Sequence, residues 1–398
     1  MRLPLSLLLP VLVLELLLDW YIWRAFKLRC RRNPKFWCRL TIVQAVVFAI
    51  FPLWMAFVGT GTDDSAFKVA MWMLYGWISV YAAKLVWVFF DLVAKLPRLW
   101  HGRRWKWLAA CGWLAVPVFI FMWWGALVER FRIDVERVDI VRPDLPEAFD
   151  GFTIAQFSDI HLGTYGSDTT FVKKVVDRIN DLRPDMIVFT GDIVNRHTSE
   201  MEPFVATLAG LEAPYGVFSI LGNHDYGDYY QWDSPSDKVE NMALLYHLEQ
   251  LAGLRMLNNN TDFIYSGGDS IALVGVENIG DPPFPVYGDL DAAYPGDLND
   301  PVFKILLSHN PAHWADDISE APDKNIALTL SGHTHAMQMR LLGWSPAKFR
   351  YRNWGGLYAD TDSAHLLYVN IGIGEVGMPA RLGDATPEIT LFTLKRGR

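Results

Sequence analysis

The sequence predicts a multi-pass α-helical membrane anchor followed by a separate α/β domain. The first observation is a change of composition near residue 130, because the apolar residues behind the 51% hydrophobic content are concentrated before that point. The second is a series of short Val- and Ile-rich runs after it, which are typical of buried strands. We therefore divide the chain into a membrane region over 1–128, a connector over 129–150 and an α/β domain over 151–398.

Four apolar runs occupy the membrane region, at residues 3–22, 37–58, 69–92 and 107–128. Each has about the 20 residues that a helix needs to cross ~30 Å of hydrocarbon. A cleaved signal peptide competes only for the first run, but bulky and charged residues follow it where small ones are needed. We find no Asp, Glu or Arg near the centre of any run, which disfavours an ion pathway and leaves anchoring as the expected role.

Basic residues predict the orientation of these helices. They are concentrated after the first and third runs, whereas the loop over 59–68 carries one lysine against two aspartates. Because Lys- and Arg-rich loops stay in the cytoplasm, we expect the α/β domain on the outer side of the cell membrane. The residues that favour this orientation are Arg24, Lys27, Arg29, Arg31, Arg32, Lys35, Arg39, Lys95, Arg98, Arg103, Arg104 and Lys106.

The periodicity after residue 150 predicts alternating strands and helices. Residues 171–182 carry valine and isoleucine at helical spacing and predict a helix. The expected strands cover residues 153–158, 186–190, 216–221, 271–276, 303–308, 326–330, 366–371 and 388–394.

Carboxylate, amide and imidazole groups follow five of these strands directly. Ligands of α/β sheets bind at the carboxyl ends of strands, so we expect these groups to meet at one sheet edge. They form a ligand set for a divalent metal, and the three cysteines of the chain all lie in the membrane region. The groups are Asp159-Ile160-His161, Gly191-Asp192, Gly222-Asn223-His224-Asp225, His309-Asn310 and Gly332-His333-Thr334-His335.

In this order, the five groups resemble the signature of the calcineurin-like metallophosphoesterases, and most of all the bacterial membrane-associated or exported, phosphodiesterase-like branch. The resemblance covers about residues 152–395, including a Gly-rich segment over 372–383. It implies a four-layer α/β/β/α sandwich and two divalent metal ions, of Mn, Fe, Zn or Ni. Ala336 departs from the family, which often has glycine there, and a positive φ would strain this alanine by about 1 kcal/mol.

The resemblance also implies a role for each site residue. His224 would contact the scissile phosphate, and Asp225 would orient His224. Arg381, in the Gly-rich segment, is a further candidate for holding a phosphate. The implied metal ligands form two sets that share one bridging carboxylate, namely Asp159, His161, Asp192 and His335 for one ion, and Asp192, Asn223, His309 and His333 for the other.

The implied reaction is hydrolysis of a phosphomonoester, phosphodiester or pyrophosphate bond by hydroxide that bridges the two metals. The expected partners are a phosphorylated small molecule or lipid headgroup and the bilayer, and no basic stripe indicates nucleic acid. One rival hypothesis is a sensor or scaffold that binds a phosphate ligand without catalysis, although no expected ligand is missing. A second, a channel or transporter with a regulatory phosphatase domain, needs intramembrane charge.

Overall fold

A computed structural model describes the chain in two compact units. One comprises Met1–Leu127 with Gly377–Ala380, and the other Val128–Val376 with Arg381–Arg398. The described residues are 5–57, 61, 63–100, 102–280, 285–321, 323–361 and 364–397.

Four helical spans of the first unit are long and apolar enough to cross a membrane, as predicted. The predicted run ends at Leu3 and Val58, and part of the 59–68 loop, lie outside the described residues. Outward-facing side chains such as Leu9 and Trp113 are apolar and exposed, as lipid-facing residues are. The helices are α1 (Leu5–Arg29), α2 (Pro34–Phe57), α3 (Asp64–Val93), and, in the fourth span, α4 (Lys106–Ala110) and α5 (Ala115–Leu127).

Charged side chains inside two spans correct the expectation that no Asp, Glu or Arg lies near the centre of a run, because Glu15 and Asp19 lie near the middle of the span over Ser6–Arg29. Asp19 of α1 accepts a hydrogen bond from Tyr81 Oη at 2.8 Å and another from the ammonium of Lys84, both on α3. Glu15, one turn earlier, accepts a hydrogen bond from the indole of Trp77. The acid and base of this cluster lie on different helices, so their pairing depends on the packing of α1 against α3. The cluster therefore joins two helices.

A second ionic cluster surrounds Asp91 near the end of α3. Its carboxylate lies 2.7 Å from Nη1 of Arg29 and 2.8 Å from Nζ of Lys95, and it also pairs with Arg104. Arg29 ends α1 and Arg104 follows α3, so basic residues from the two Lys- and Arg-rich loops meet at one carboxylate. These two loops consequently lie on the same side of the helical unit.

The second unit contains strands separated by helices. Its helices are α6 (Thr170–Asp181), α7 (Val205–Leu208), α8 (Pro235–Leu251) and α9 (Leu290–Ala293). Its strands are β1 (Asp134–Arg142), β2 (Thr153–Phe157), β3 (Met186–Phe189), β4 (Val217–Ser219), β5 (Arg255–Met256), β6 (Asn260–Ser266), β7 (Asp269–Gly275), β8 (Lys304–Leu307), β9 (Leu328–Ser331), β10 (Met339–Arg340), β11 (Gly356–Ala359), β12 (Leu366–Val369), β13 (Leu382–Gly383) and β14 (Glu388–Arg396).

Two mixed sheets of six strands each organise this unit over its described residues. The first has the order β1-β14-β2-β3-β4-β5, in which only β14 and β2 are antiparallel neighbours. The second has the order β11-β12-β9-β8-β7-β6, with antiparallel pairing only at its two edges. A short parallel pair, β10 and β13, lies apart from both.

The sheets face each other and carry helices on their outer faces. Side chains such as Val188 of the first sheet and Leu273 of the second form the core between them. Helices α6, α7 and α8 pack on the first sheet, while α9 and a π-helical turn over Trp314–Ile318 pack on the second. This arrangement confirms the four-layer α/β/β/α sandwich.

The eight predicted strands and the predicted helix are all present, with ends shifted by a few residues. One element corrects the predicted connector over 129–150, because β1 pairs with β14 along its whole length and belongs to the α/β unit. Charged residues occupy five of the nine positions of β1. The segment therefore lacks the apolar run that predicts a buried strand.

Candidate metal centre

The five predicted polar groups meet where strands end. Both sheets contribute, which corrects the expectation of a single sheet edge: three of the strands belong to the first sheet and two to the second. The leading residues of the groups are Asp159 after β2, Asp192 after β3, Asn223 after β4, His309 after β8 and His333 after β9.

One set of ligand atoms gathers around Asp159. The atoms offered by Asp159, His161 and His335 lie within 4.8 Å of one another. Nε2 of His161 is 3.0 Å from Nε2 of His335, and Nε2 of His335 is 3.4 Å from Oδ1 of Asp159. These three buried side chains can therefore approach one ion together.

A second set gathers around Asn223 and His309. Nε2 of His309 is 3.2 Å from Oδ2 of Asp192 and 3.2 Å from Oδ1 of Asn223. The same Oδ1 of Asn223 lies 2.8 Å from Nδ1 of His333. Oδ2 of Asp192 lies 3.7 Å from Nε2 of His161, a member of the first set. The structure thus brings all seven predicted ligands together, with Asp192 between the two sets.

The hydrogen bonds behind these ligands fit a bound cation. Nδ1 of His161 faces the carbonyl of Val194 at 3.1 Å, and Nδ1 of His309 faces the carbonyl of Thr190 at 2.7 Å. A carbonyl only accepts, so each Nδ1 carries a hydrogen and Nε2 is the nitrogen that each ring directs into the site. Lone pairs and carboxylate oxygens that converge in this way repel one another unless a cation lies between them.

The backbone at the site is held in unfavourable conformations. Five of the seven predicted ligands have positive φ, between 48° and 75°: Asp159, His161, Asp192, His333 and His335. Ala336 also has a φ of 50°, so the strain expected at this alanine is present. Gly222 is needed for another reason, because a Cβ there would lie 2.2 Å from Oδ1 of Asp192. Strain of this kind persists where the surrounding fold imposes it, as at binding sites.

His224 and Asp225 differ from expectation. The carboxylate of Asp225 accepts hydrogen bonds from the backbone N–H groups of Gly222, Asp192, Ile193 and Val194 at 2.8–3.2 Å. The ring of His224 is oriented by the carbonyl of Asn195, 2.6 Å from Nδ1, which corrects the role predicted for Asp225. Asp225 therefore shapes the ligand loops, and sequence motifs do not reveal a backbone carbonyl such as that of Asn195.

Burial and pairing set the proton affinities of the site. Burial raises the pKa of Asp159 to about 7 and lowers that of His161 to about 3. Burial opposes the charged form of His309 as well, but the adjacent Asp192 raises the pKa of this imidazole to about 10. Burial also disfavours the Asp192 carboxylate, yet His309 holds its pKa well below the usual range. His309 would therefore have to lose a proton before it could bind a metal ion.

A cavity of about 240 Å³ opens onto the ligands. Tyr229 stacks on His224 with ring centroids 4.2 Å apart, and its hydroxyl accepts a hydrogen bond from Nδ2 of Asn223 at 2.9 Å. This bond turns Oδ1 of Asn223 toward the histidines. Arg350 and Tyr351 also line the cavity, and the concentration of aromatic residues around them was their only sequence signal.

Arg381 does not line this cavity, which corrects its suggested role in holding phosphate. Its guanidinium is fully buried and donates to the carbonyls of Gly374 and Ile371 at 3.0 and 2.8 Å. Nη2 also lies 3.4 Å from Nδ1 of His335. Arg381 therefore supports the Gly-rich segment behind a ligand.

Comparison with known proteins agrees with this geometry. Residues 152–337 match the family model "Calcineurin-like phosphoesterase", and residues 1–130 match "Probable Calcineurin-like phosphoesterase, transmembrane domain". The "Uncharacterized metallophosphoesterase YkuE" of Bacillus subtilis is 34% identical over 67% of this chain and 87% of its own length.

Two further relatives are informative. The "UDP-2,3-diacylglucosamine pyrophosphatase LpxG" of Chlamydia trachomatis is 29% identical over 66% of this chain and 89% of its own length. The "Transmembrane protein with metallophosphoesterase domain" of Danio rerio is 31% identical over 65% of this chain and 56% of its own length. With the family match and the convergent ligands, these similarities show that the chain belongs to the calcineurin-like metallophosphoesterase family, membrane-associated hydrolases of phosphoester bonds in this case.

Proposed function

We propose that this hydrolase uses two divalent metal ions to cleave a phosphoester or pyrophosphate bond of a lipid-linked or envelope substrate. The observation that carries the two-metal part is the position of Asp192, whose Oδ2 lies 3.2 Å from His309 and 3.7 Å from His161. A carboxylate between two sets of converging ligands is suited to bridge two cations ~3.5–4 Å apart. Histidine, aspartate and asparagine ligands suit Mn, Fe, Zn or Ni.

The metal ligands divide as their distances suggest. When bound, two such cations activate water and screen the negative charge of the phosphoryl group. The first ion would be held by Asp159, His161, Asp192 and His335, and the second by Asp192, Asn223, His309 and His333.

His224 is the proposed acid of the reaction. Its Nδ1–H donates to the carbonyl of Asn195, which leaves Nε2 available to the cavity that this residue lines. A proton on Nε2 can pass to the leaving oxygen, and stacking on Tyr229 keeps the ring in place for that transfer. Arg350 adds positive charge to the cavity wall, where a second phosphate of a pyrophosphate would be attracted.

Two observations support a lipid-linked substrate. The chain has four spans that fit a membrane, and the relative LpxG is named for a pyrophosphatase reaction on a diacylated sugar nucleotide.

We further propose that the catalytic unit lies outside the cytoplasm, because the Lys- and Arg-rich loops meet on one side of the helical unit at Asp91.

A substrate panel tests the proposed reaction. The purified full chain, reconstituted with each metal in turn, would be given phosphomonoesters, phosphodiesters and pyrophosphates in soluble and lipid-linked form. We expect a lipid-linked diester or pyrophosphate to be turned over fastest, and Asp192→Asn to lower kcat/KM by roughly 10³-fold or more. Much faster cleavage of soluble nucleotides would refute the lipid-linked substrate while leaving the hydrolase in place.

Reporter fusions test the proposed orientation. Alkaline phosphatase fused after residue 398 should be active, because it folds only outside the cytoplasm, and a green fluorescent protein exported in unfolded form should be dark. Bright fluorescence with an inactive phosphatase would place the catalytic unit in the cytoplasm.

A further inference from the structure

An apolar hairpin projects from the α/β unit beside the metal-centre cavity; we call residues 341–350 the tip hairpin. Leu342 at its turn is 102% exposed and Phe349 is 79% exposed, and Leu341 and Trp344 are exposed as well. Clustered large apolar side chains on a surface mark a contact site more often than single ones do. The tip hairpin is therefore a surface that needs an apolar partner.

The turn of the hairpin is built from an unsuitable residue. Leu341 and Trp344 exchange backbone hydrogen bonds at 2.8 and 3.0 Å around a two-residue turn. Both residues of the turn have positive φ, 51° at Leu342 and 76° at Gly343. A turn of this geometry favours Asn-Gly, and leucine is disfavoured there. Burial within the unit does not stabilise Leu342 either. A contact outside the unit would account for an apolar side chain at this position.

The hairpin is attached rigidly to the metal centre. Oγ of Ser345, at the base of the hairpin, donates to the carbonyl of Ala336 at 2.6 Å, and Ala336 follows the ligand His335. On the other arm, β10 pairs with β13, and Nε of Arg340 lies 3.3 Å from the carboxylate of Asp384. Whatever the tip contacts is thus held at a fixed distance from the ligands.

The charged residues around the tip indicate what kind of partner it contacts. Residues 337–359 contain Arg340, Lys348, Arg350 and Arg352 but no aspartate or glutamate. The carboxylate of Asp384 pairs with Arg340, which leaves three basic residues of this segment to set its positive charge. Arg350 lines the cavity and Lys348 is exposed on the hairpin. An apolar tip flanked by basic and indole side chains is suited to a bilayer surface with anionic headgroups, where apolar groups enter the acyl boundary and cations meet phosphates.

We propose that the tip hairpin inserts Leu342 and Phe349 into a bilayer leaflet that contains anionic lipid, and so holds the mouth of the cavity among lipid headgroups. The contact deepens the proposed function, because it explains how a headgroup phosphate reaches the ligands. The insertion itself does not depend on which bond is cleaved, so its first test uses no activity measurement.

A depth probe at the tip tests the insertion directly. The full chain, with Cys30, Cys38 and Cys111 replaced by alanine, would carry an environment-sensitive fluorophore on Leu342→Cys in nanodiscs of phosphatidylcholine and phosphatidylglycerol. The matched control is Tyr265→Cys, 71% exposed on β6 at the sheet edge farthest from β11. A tip that enters the leaflet by about 5–10 Å should be quenched by shallow spin-labelled lipid at least roughly threefold more than the control.

A second variant separates loss of contact from loss of folding. Leu342→Asn supplies the residue that the turn favours, so the hairpin should remain formed while its apolar tip is removed. A fluorophore on Phe349→Cys should then lose most of its quenching, and turnover of a lipid-embedded substrate should fall while that of bis-p-nitrophenyl phosphate stays within about twofold.

Two outcomes would overturn the proposal. One is quenching at Leu342→Cys no greater than at Tyr265→Cys in nanodiscs with or without anionic lipid. The other is protection of the probe only after a second protein or a second copy of the chain is added, which would make the hairpin a protein interface.

Discussion

Buried charged side chains occur in both units, and the difference lies in what neutralises them. In the helical unit Asp19 meets Lys84, and Asp91 meets Arg29, Lys95 and Arg104. In the α/β unit the carboxylates of Asp159 and Asp192 instead lie 3.2–3.7 Å from imidazole nitrogens of His161, His309 and His335. A carboxylate with a basic partner is already satisfied, whereas convergent ligands still require a cation. Burial of charge alone therefore does not identify a site, and the partners must be examined.

The largest expected effect is the loss of the bridging carboxylate. Asp192→Asn should lower kcat/KM by roughly 10³-fold or more, because an amide supplies neither the charge nor the second anionic oxygen. Metal content by mass spectrometry should fall by at least one ion per chain. Asp177→Asn, on the exposed face of α6, is the matched control and should change neither quantity. Full activity of Asp192→Asn would refute the bridging role.

The next effect concerns proton donation by His224. His224→Gln keeps a polar side chain near the carbonyl of Asn195 but cannot deliver a proton, so kcat should fall by roughly 10²–10³-fold at unchanged metal content. The loss should be greater for an alkoxide leaving group than for p-nitrophenolate, which departs without a proton. An equal loss for both leaving groups would show that the ring acts only by position or charge.

The paired charges of the helical unit should respond differently. Lys84→Met leaves Asp19 buried without its cation and should destabilise the unit by about 3 kcal/mol in detergent. Adding Asp19→Asn should recover most of that loss, since the uncompensated charge is removed. Thermal unfolding of both variants provides the measurement, and metal content should stay constant. A double variant that is no more stable than Lys84→Met would argue against the ion pair.

The last variant extends the comparison to Glu249, a buried acid that has neither a basic partner nor converging metal ligands. Burial raises the pKa of Glu249 from 4.5 to about 8, against the hydrogen bond from Ser219. The folded state thus binds a proton that the unfolded state releases, so stability is lost as the pH rises from about 4.5 through 8. Glu249→Gln should melt at a higher temperature than the parent at pH 9 and show no gain at pH 5. A pH-independent difference would contradict this protonation.

Much of the fold and the site was predictable because local patterns determine them. Apolar runs define the central strands, and the ligands follow those strands in compact groups such as Gly332-His333-Thr334-His335. The missed features depend on contacts between distant segments. Strand β1 is stabilised by pairing with β14 despite its charges, and Asp19 is satisfied by Lys84 of another helix. Likewise, Asp225 binds backbone N–H groups of two loops, which a motif cannot express.

The position of β14 has a consequence for biosynthesis. This strand lies between β1 and β2 in its sheet, although it is the last of the three to be synthesised. During translation, before β14 has been synthesised, β1 lacks its neighbour and the first sheet has a gap beside β2. A chain that stops before residue 388 therefore lacks the strand that joins β1 to β2, although it already contains all seven predicted metal ligands.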